Sequence, residues 1–541
     1  MKLKNRLCFL LCAVMTVFCA ACKSAPEDAL SIHQSALEAE AAPQEATIDT
    51  LSVGILEDAG RRHPLFPQSA QMVSLTALVF EGLFETDDAG RARFCLAEDY
   101  QTAQNEDGSF TWTIKIRPNV AWHDGSGCVT AQDAAFTIGT IASAGGFYAS
   151  NVQGIASAAA QDEQTLVVVT DRYYADLPER LTFPIVPQHV YQGKNGEDPV
   201  MVGSGAYRLS AQDADGYLFQ LSAFEGWWHE QPSIKTIYVT TYHDLSALTA
   251  AFSRKEIQAA IDCDVTTGEG LGAGIGTVYT LRRRSMEVVY PNLNGIFSDV
   301  RVRRAVAYAI NKSDISALLY AKRTFDADLP VWPGHYLDTA QSHRYDYDVR
   351  AARELLAQAG YEDRDGDGYL DVVGEDGQSS PLTLSLVTSN TADSRIRQQC
   401  ANLIAESLRQ VGIALRVTVS DLASAQAAFS AGQFNLLLTG VVVPQQPQPA
   451  FFYVAANYNG ASSETVQSAL SATYEKTTRA EWETSIAALE QAILDESTSF
   501  PLFYTGGVLI VDSRVTGVDP HGETDALHGM ANWIFYEKAA S

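Results

Sequence analysis

The stretch from Leu96 to Thr137, LAEDYQTAQNEDGSFTWTIKIRPNVAWHDGSGCVTAQDAAFT, constrains the fold more than any other part of the chain. Trp112, Ile114 and Ile116 alternate with Thr111, Thr113, Lys115 and Arg117, the period-2 pattern of a half-buried strand. Glu106-Asp107-Gly108 before it is hairpin-turn chemistry, with Gly108 able to take a positive φ. Pro118 ends the strand and Trp122-His123-Asp124-Gly125 makes a tight turn. Thr130 is then placed to cap a helix holding Ala131, Ala134, Ala135 and Phe136. His123 and Asp124 are neighbours on a turn and cannot converge on one target. No nucleophile motif accompanies them, so the pair is not read as catalytic.

The chain opens with Lys2, Lys4 and Arg6 ahead of an apolar run from Leu7 to Cys19, too short for a comfortable membrane span. Residues 1–21 therefore read as an export signal. Cys19-Ala20-Ala21-Cys22 resembles a lipobox, with Cys19 where Leu is usual, which makes Cys22 the lipidated N-terminus. Ordinary cleavage after Ala21 is the alternative. Residues 22–48, rich in Ala, Glu, Ser, Pro and Gln, form a flexible tether on this reading. The formal charge of −27 argues against nucleic acid or an anionic membrane surface as partner. Cys95, Cys128, Cys263 and Cys400 have no paired metal spacing; a Cys95–Cys128 disulfide and four buried thiols are both open.

Leu96-Ala97-Glu98, Asp107-Gly108, Ile116-Arg117, His123-Asp124-Gly125 and Thr130-Ala131-Gln132-Asp133 stand in the order of a known signature. It resembles that of the family 5 extracellular solute-binding proteins, the oligopeptide-, dipeptide- and nickel-binding components of ABC importers. Further blocks follow in the same order: Val79 to Glu85, Val202 to Leu209, Trp227-Trp228 with Pro232, Asp299 to Lys312, and Phe500 to Tyr504. The glycines of Gly203-Ser204-Gly205 lack the lysine of a phosphate loop and read as a close backbone crossing between domains. Of the adjacent tryptophans, one is expected in packing and one near solvent or the cleft. Val302, Ala305, Val306, Ala309 and Ile310 form one apolar helix face, leaving the nearby arginines to a solvated or salt-bridged surface. Alternating Leu382, Leu384 and Leu386, a helix holding Cys400 and Leu408, and a strand with Leu415 and Val417 make a βαβ unit, hence a parallel sheet. Asp363, Asp365, Asp367 and Asp371 match calcium-loop positions, but Gly374 holds the twelfth and Glu375 comes one place late. A plain acidic turn and a weak calcium site both remain readings of that loop; no other cofactor is expected.

The resemblance implies an α/β, two-lobe periplasmic-binding-protein-like fold with the ligand cleft between lobes joined by two crossovers. Lobe I would span 49–285, with an extra subdomain at 99–199, lobe II 286–495, and 496–541 would return to lobe I. The function implied is capture of a peptide or similar polar solute outside the membrane by hinge closure, and delivery to ABC permease subunits from a lipid anchor. An exported hydrolase is the competitor, but H-E-x-x-H, G-x-S-x-G and a Cys/His arrangement are all missing, so no enzyme is expected. A surface adhesin or receptor reusing the fold is a third class.

Where the family carries an Asp that pairs with the peptide's α-ammonium, this chain has Gln445; Gln448 stands at a second Asp and Val442 at a Trp. Ligand-binding candidates are accordingly Val442, Gln445, Gln446, Gln448, Asn457 and Trp332, with Glu57 and Asp58 as replacement carboxylates. Without such a carboxylate, free-amine peptides are expected to bind poorly, and N-blocked peptides or an uncharged polar solute to be preferred.

Overall fold

The computed structural model describes residues 46–56, 63–194, 201–213, 217–263, 276–339, 345–373, 377–390, 394–446, 448–457 and 463–538. The signal, Cys22, most of the tether, and Glu57 and Asp58 lie outside the described residues. The chain divides into a small unit, 1–47 with 536–538, and a large one, 48–535 with 539–541. In the small unit the Glu537 amide donates to the Ala46 carbonyl at 2.9 Å.

The alternation around Trp112 produces the strand Phe110–Ile116, whose Phe110, Trp112, Ile114 and Ile116 are all buried. It pairs with Ala97–Gln104 across the turn at Gly108, where φ is +87°. Thr130 caps the helix Ala131–Ala144 in a reciprocal box with Asp133, satisfying two otherwise orphaned backbone donors. This strand belongs to a four-stranded antiparallel sheet separate from the main one, and its Trp112 and Ile114 share a core cluster with Leu51 and Val53 of the main sheet.

The main sheet has eleven strands among the described residues. Thr383–Ser389 and Ala414–Ser420 pair in parallel around the helix Ser394–Arg409, the βαβ unit expected. At the centre, Gly276–Pro291 and Phe500–Asp512 run antiparallel and are the longest strands among the described residues. Each serves two cores. Leu281, Leu509 and Val511 belong to a cluster with Leu51, Val53 and Trp112, whereas Val289, Phe500 and Leu502 belong to one with Val302, Leu386 and Leu408. Two cores joined by two long strands make the two-lobe α/β architecture. A third cluster packs Trp482, Ile486 and Leu489 of the helix Arg479–Glu496 with Ala175.

Gly203 and Gly205 do mark a close crossing, but both partners lie in the same core. The Gly205 amide donates to Val79 O at 2.9 Å, and a Cβ on Gly203 would stand 2.0 Å from that oxygen. His123 closes the turn: its Nδ1 accepts from the Gly203 amide at 3.3 Å and its Nε2 donates to Gly205 O at 2.9 Å. The arginines of the helix Val300–Ala309 are salt-bridged as expected, Arg301 to Asp299, Arg304 to Asp495 and Arg303 to Glu496 at 3.5 Å, but Arg303 is not at the surface. It is 5% exposed and donates to the carbonyls of Phe297, Ser298 and Glu496, because it faces a neighbouring helix end rather than water. Cys95 and Cys400 are buried thiols, while Cys128 is an exposed one, and none of the three is paired.

Candidate functional site

The two long central strands lose register where they pass from one core to the other. Arg282 stands opposite Gly506 and Met286 opposite Tyr504, so that Arg283, Arg284 and Ser285 face only Thr505. An irregularity of this kind re-aims side chains out of the sheet. The Arg284 carbonyl accepts from the Val443 amide at 2.9 Å, which hangs the loop carrying Gln445 and Gln446 beside the arginines. Arg284 is itself held by Glu523, at 3.0 Å from its amide and 3.4 Å from Nε.

Two cavities meet here and share the walls Thr86, Gln445, Thr524 and Asp525. The wider one, about 580 Å³, is lined by Glu81, Glu85, Glu230 and Asp525 and by no Lys or Arg among the described residues. The narrower one, about 60 Å³, is lined by Arg282, Trp332, Gln446 and Tyr504. The wider volume falls within the range of small-molecule sites, about 300–1,000 Å³.

Glu81 is fixed at the wall of the wide chamber by three donors. Trp227 Nε1 and Trp228 Nε1 each reach its Oε1 at 3.0 Å, and Ser204 Oγ reaches Oε2 at 2.7 Å. The two indole N–H groups therefore converge on one carboxylate; Trp227 lines the chamber, whereas Trp228 packs under the Arg117 guanidinium, 4.3 Å from the ring centroid. Burial raises the Glu81 carboxyl above its ordinary range despite these donors, and burial raises Glu85 likewise. Next to them His521 and His528 stack with centroids 3.6 Å apart. Burial and the neighbouring His528 lower His521. Burial also pulls on His528, but Asp525 at 2.9 Å from its Nδ1 outweighs it and the net shift is upward.

Of the residues expected at the site, Trp332, Gln445 and Gln446 come together at the cavity walls. Three others stand off them. Val442 is exposed at the end of its strand, and Asn457 caps the helix Pro449–Ala456, its Nδ2 donating to Tyr453 O at 2.8 Å. Gln448 is spent on a contact distant in sequence, its Nε2 donating to Ser150 O at 2.9 Å. In the acidic loop Asp363, Asp365 and Asp371 bring oxygens within 4.8 Å of one another, whereas Asp367 accepts from the Tyr369 amide. Both oxygens of Asp363 accept loop amides, from Gly366 and Gly368, so the turn satisfies itself. Sequence reasoning missed Arg282, Asp525 and His528 as wall residues. The one signal was Arg282-Arg283-Arg284, three consecutive cations in a strand, which cannot all point to one face.

Two lobes crossed by a pair of long strands, with a charged cleft at the crossing, define a solute-binding protein of the periplasmic-binding-protein type. The sequence profile of bacterial extracellular solute-binding proteins, family 5 Middle, matches residues 94–463, and the chain belongs to that family of ABC-importer components. It is 22% identical over 430 residues to the oligopeptide-binding protein AppA of Bacillus subtilis, covering 75% of each chain. The solved structure of that AppA in complex with a nonapeptide superimposes with a TM-score of 0.62, covering 92% of this chain and 100% of the other at 18% identity. The unliganded open form of the periplasmic murein tripeptide-binding protein MppA gives 0.75, over 92% and 99% of the two chains at 17% identity. NikZ of Campylobacter jejuni, solved with Ni(L-His), gives 0.64, over 90% and 99% at 19% identity. Among the described residues no helix is long and apolar enough to cross a membrane.

Proposed function

We propose that the protein is the substrate-binding lipoprotein of an ABC importer, anchored outside the membrane through Cys22. It captures a peptide or peptide-like solute by closure of its lobes and delivers it to permease subunits. The reading assigns no catalytic step and no cofactor. Support comes foremost from the wide chamber, which is walled by Gln445 together with Glu81, Glu85 and Asp525.

That composition bears on ligand charge. A neutral Gln445 cannot offset an α-ammonium in a closed cleft, but carboxylates lining the same chamber can. The partner that the loop lacks is supplied from the segment around Glu81 and from the turn at Asp525. On this reading free-amine peptides are ligands, in contrast to the preference for N-blocked ones that Gln445 alone suggests. Calorimetry with paired free-amine and N-acetylated peptides tests this. Acetylation is expected to weaken binding by roughly tenfold or more, and Glu85→Gln to shrink that difference. Equal affinity of the two forms would remove the chamber's assigned role.

A further inference from the structure

The narrow cavity holds a cation whose surroundings are otherwise charge-matched. Of its acidic wall residues, Asp87 accepts the backbone amides of Ala89 and Arg91 at 3.0 and 2.9 Å. Asp88 pairs with His521 at 2.9 Å, Asp525 with His528 at 2.9 Å, and Glu523 with Arg284. Arg282 makes no hydrogen bond or ion pair with any of them among the described residues, and Glu523 acts on it only through its charge. Its guanidinium lies over the Trp332 ring, 4.0 Å from the centroid, and donates no hydrogen bond among the described residues. Burial lowers it to about 10, with Tyr504 and Glu523 opposing.

Two further donors in the same walls are unspent. Trp332 Nε1 and Tyr504 Oη are buried and have no hydrogen-bond partner among the described residues, although the side chains are 8% and 1% exposed. Buried polar groups are satisfied in the great majority of cases, so two orphans beside an unpaired guanidinium need an explanation. Both bring an N–H or O–H, and both sit where an acceptor would also meet a positive charge. The space, about 60 Å³, suits a carboxylate rather than a side chain of any length.

We propose that Arg282, Trp332 and Tyr504 form a receptor for the ligand's carboxylate. The pocket shares Gln445 and Asp525 with the acidic chamber, so one ligand can place its carboxylate here and its ammonium there. This rests on the solute-capture reading above and narrows it to zwitterionic, amino-acid-derived solutes. Arg282 is the last residue in register with the partner strand, opposite Gly506, and the break begins immediately after it, at Arg283.

The test uses the full chain and a pool of di- to pentapeptides in free-acid and C-amidated forms, read by native mass spectrometry. A second arm measures thermal stabilisation by acetate against chloride at equal ionic strength. The free acids are expected to outbind the amides by roughly 30-fold or more, the scale of a buried charge pair. In Arg282→Met, which keeps a stem over Trp332, that ratio falls to within about threefold. Tyr504→Phe, which deletes only the hydroxyl, lowers it in part and serves alone where Arg282→Met does not fold. Peptide binding with no acid preference, or with a preference both variants keep, overturns the pocket and leaves solute capture standing. If no peptide binds, Arg282-dependent stabilisation by acetate upholds the pocket and overturns peptide capture. Its absence then overturns both.

Discussion

Arg479 and Glu179, 300 residues apart in the chain, meet at 2.6 Å, with Glu179 only 1% exposed. Arg479 also pairs with Glu483 at 3.1 Å, which holds Arg91 at 2.8 Å, so the helix Arg479–Glu496 is tied electrostatically to two segments early in the chain. Removing one member of a buried pair leaves an uncompensated charge, at a cost of about 3–5 kcal/mol. Arg479→Met is expected to lower the urea midpoint accordingly, and the double variant with Glu179→Gln to recover most of the loss. A double variant no better than Arg479→Met would show that packing over Tyr336, not charge, is what Arg479 supplies.

Acid should destabilise the fold through histidines held neutral. Burial lowers His63 and His123 to about 4 and His335 to about 3. For His123 the geometry agrees, since Nδ1 must stay unprotonated to accept from Gly203. A folded pKa below the unfolded value, near 6.5, means the unfolded chain takes up protons first. Their contribution is thus complete above about pH 6.5 and lost as pH falls toward 4. Glu81 and Glu85, raised by burial, oppose that fall in part. Urea midpoints from pH 7.5 to 4.5 should decline, and His123→Gln should decline less steeply from a lower start.

Ligand binding should weaken over the same range for a different reason. His528, raised by Asp525 and Glu85 against burial, gains its proton as pH falls, and Glu81 and Glu85 lose their charges at higher pH than ordinary carboxyls. Each event makes the chamber less attractive to an ammonium. Calorimetry at pH 8 and pH 5.5 should give the weaker complex at pH 5.5, with proton release on binding visible as a buffer-dependent enthalpy. Tighter binding at pH 5.5 would contradict the assignment of the cation to this chamber.

The anchor is tested separately. Cys22→Ala should move the protein from the membrane to the soluble fraction, because a diacylglyceryl group plus an acyl chain supplies the two attachments stable anchoring needs. An unacylated N-terminus in the native protein, read by intact mass, would refute it.

Local chemistry was legible in the sequence. Phe110–Ile116 buries alternate residues because its apolar groups recur every second position, and Thr130 caps its helix because an Asp stands three residues on. The βαβ unit around Ser394–Arg409 and the apolar face of Val300–Ala309 follow from periodicity alone. What periodicity cannot encode is which distant segments share a wall. Gln445 was readable as a lost ammonium partner, but the carboxylates that line the same chamber come from positions near 81 and 525, far from it in sequence. Arg282 has the sequence of a strand residue. Only the tertiary structure sets its guanidinium over Trp332, 4.0 Å from the ring centroid and with no ion pair among the described residues. The sequence by itself determined the elements and their order, since hydrogen-bonding and burial patterns repeat locally. Tertiary structure decided the charges of the site, because electrostatic partners are set by distance in space.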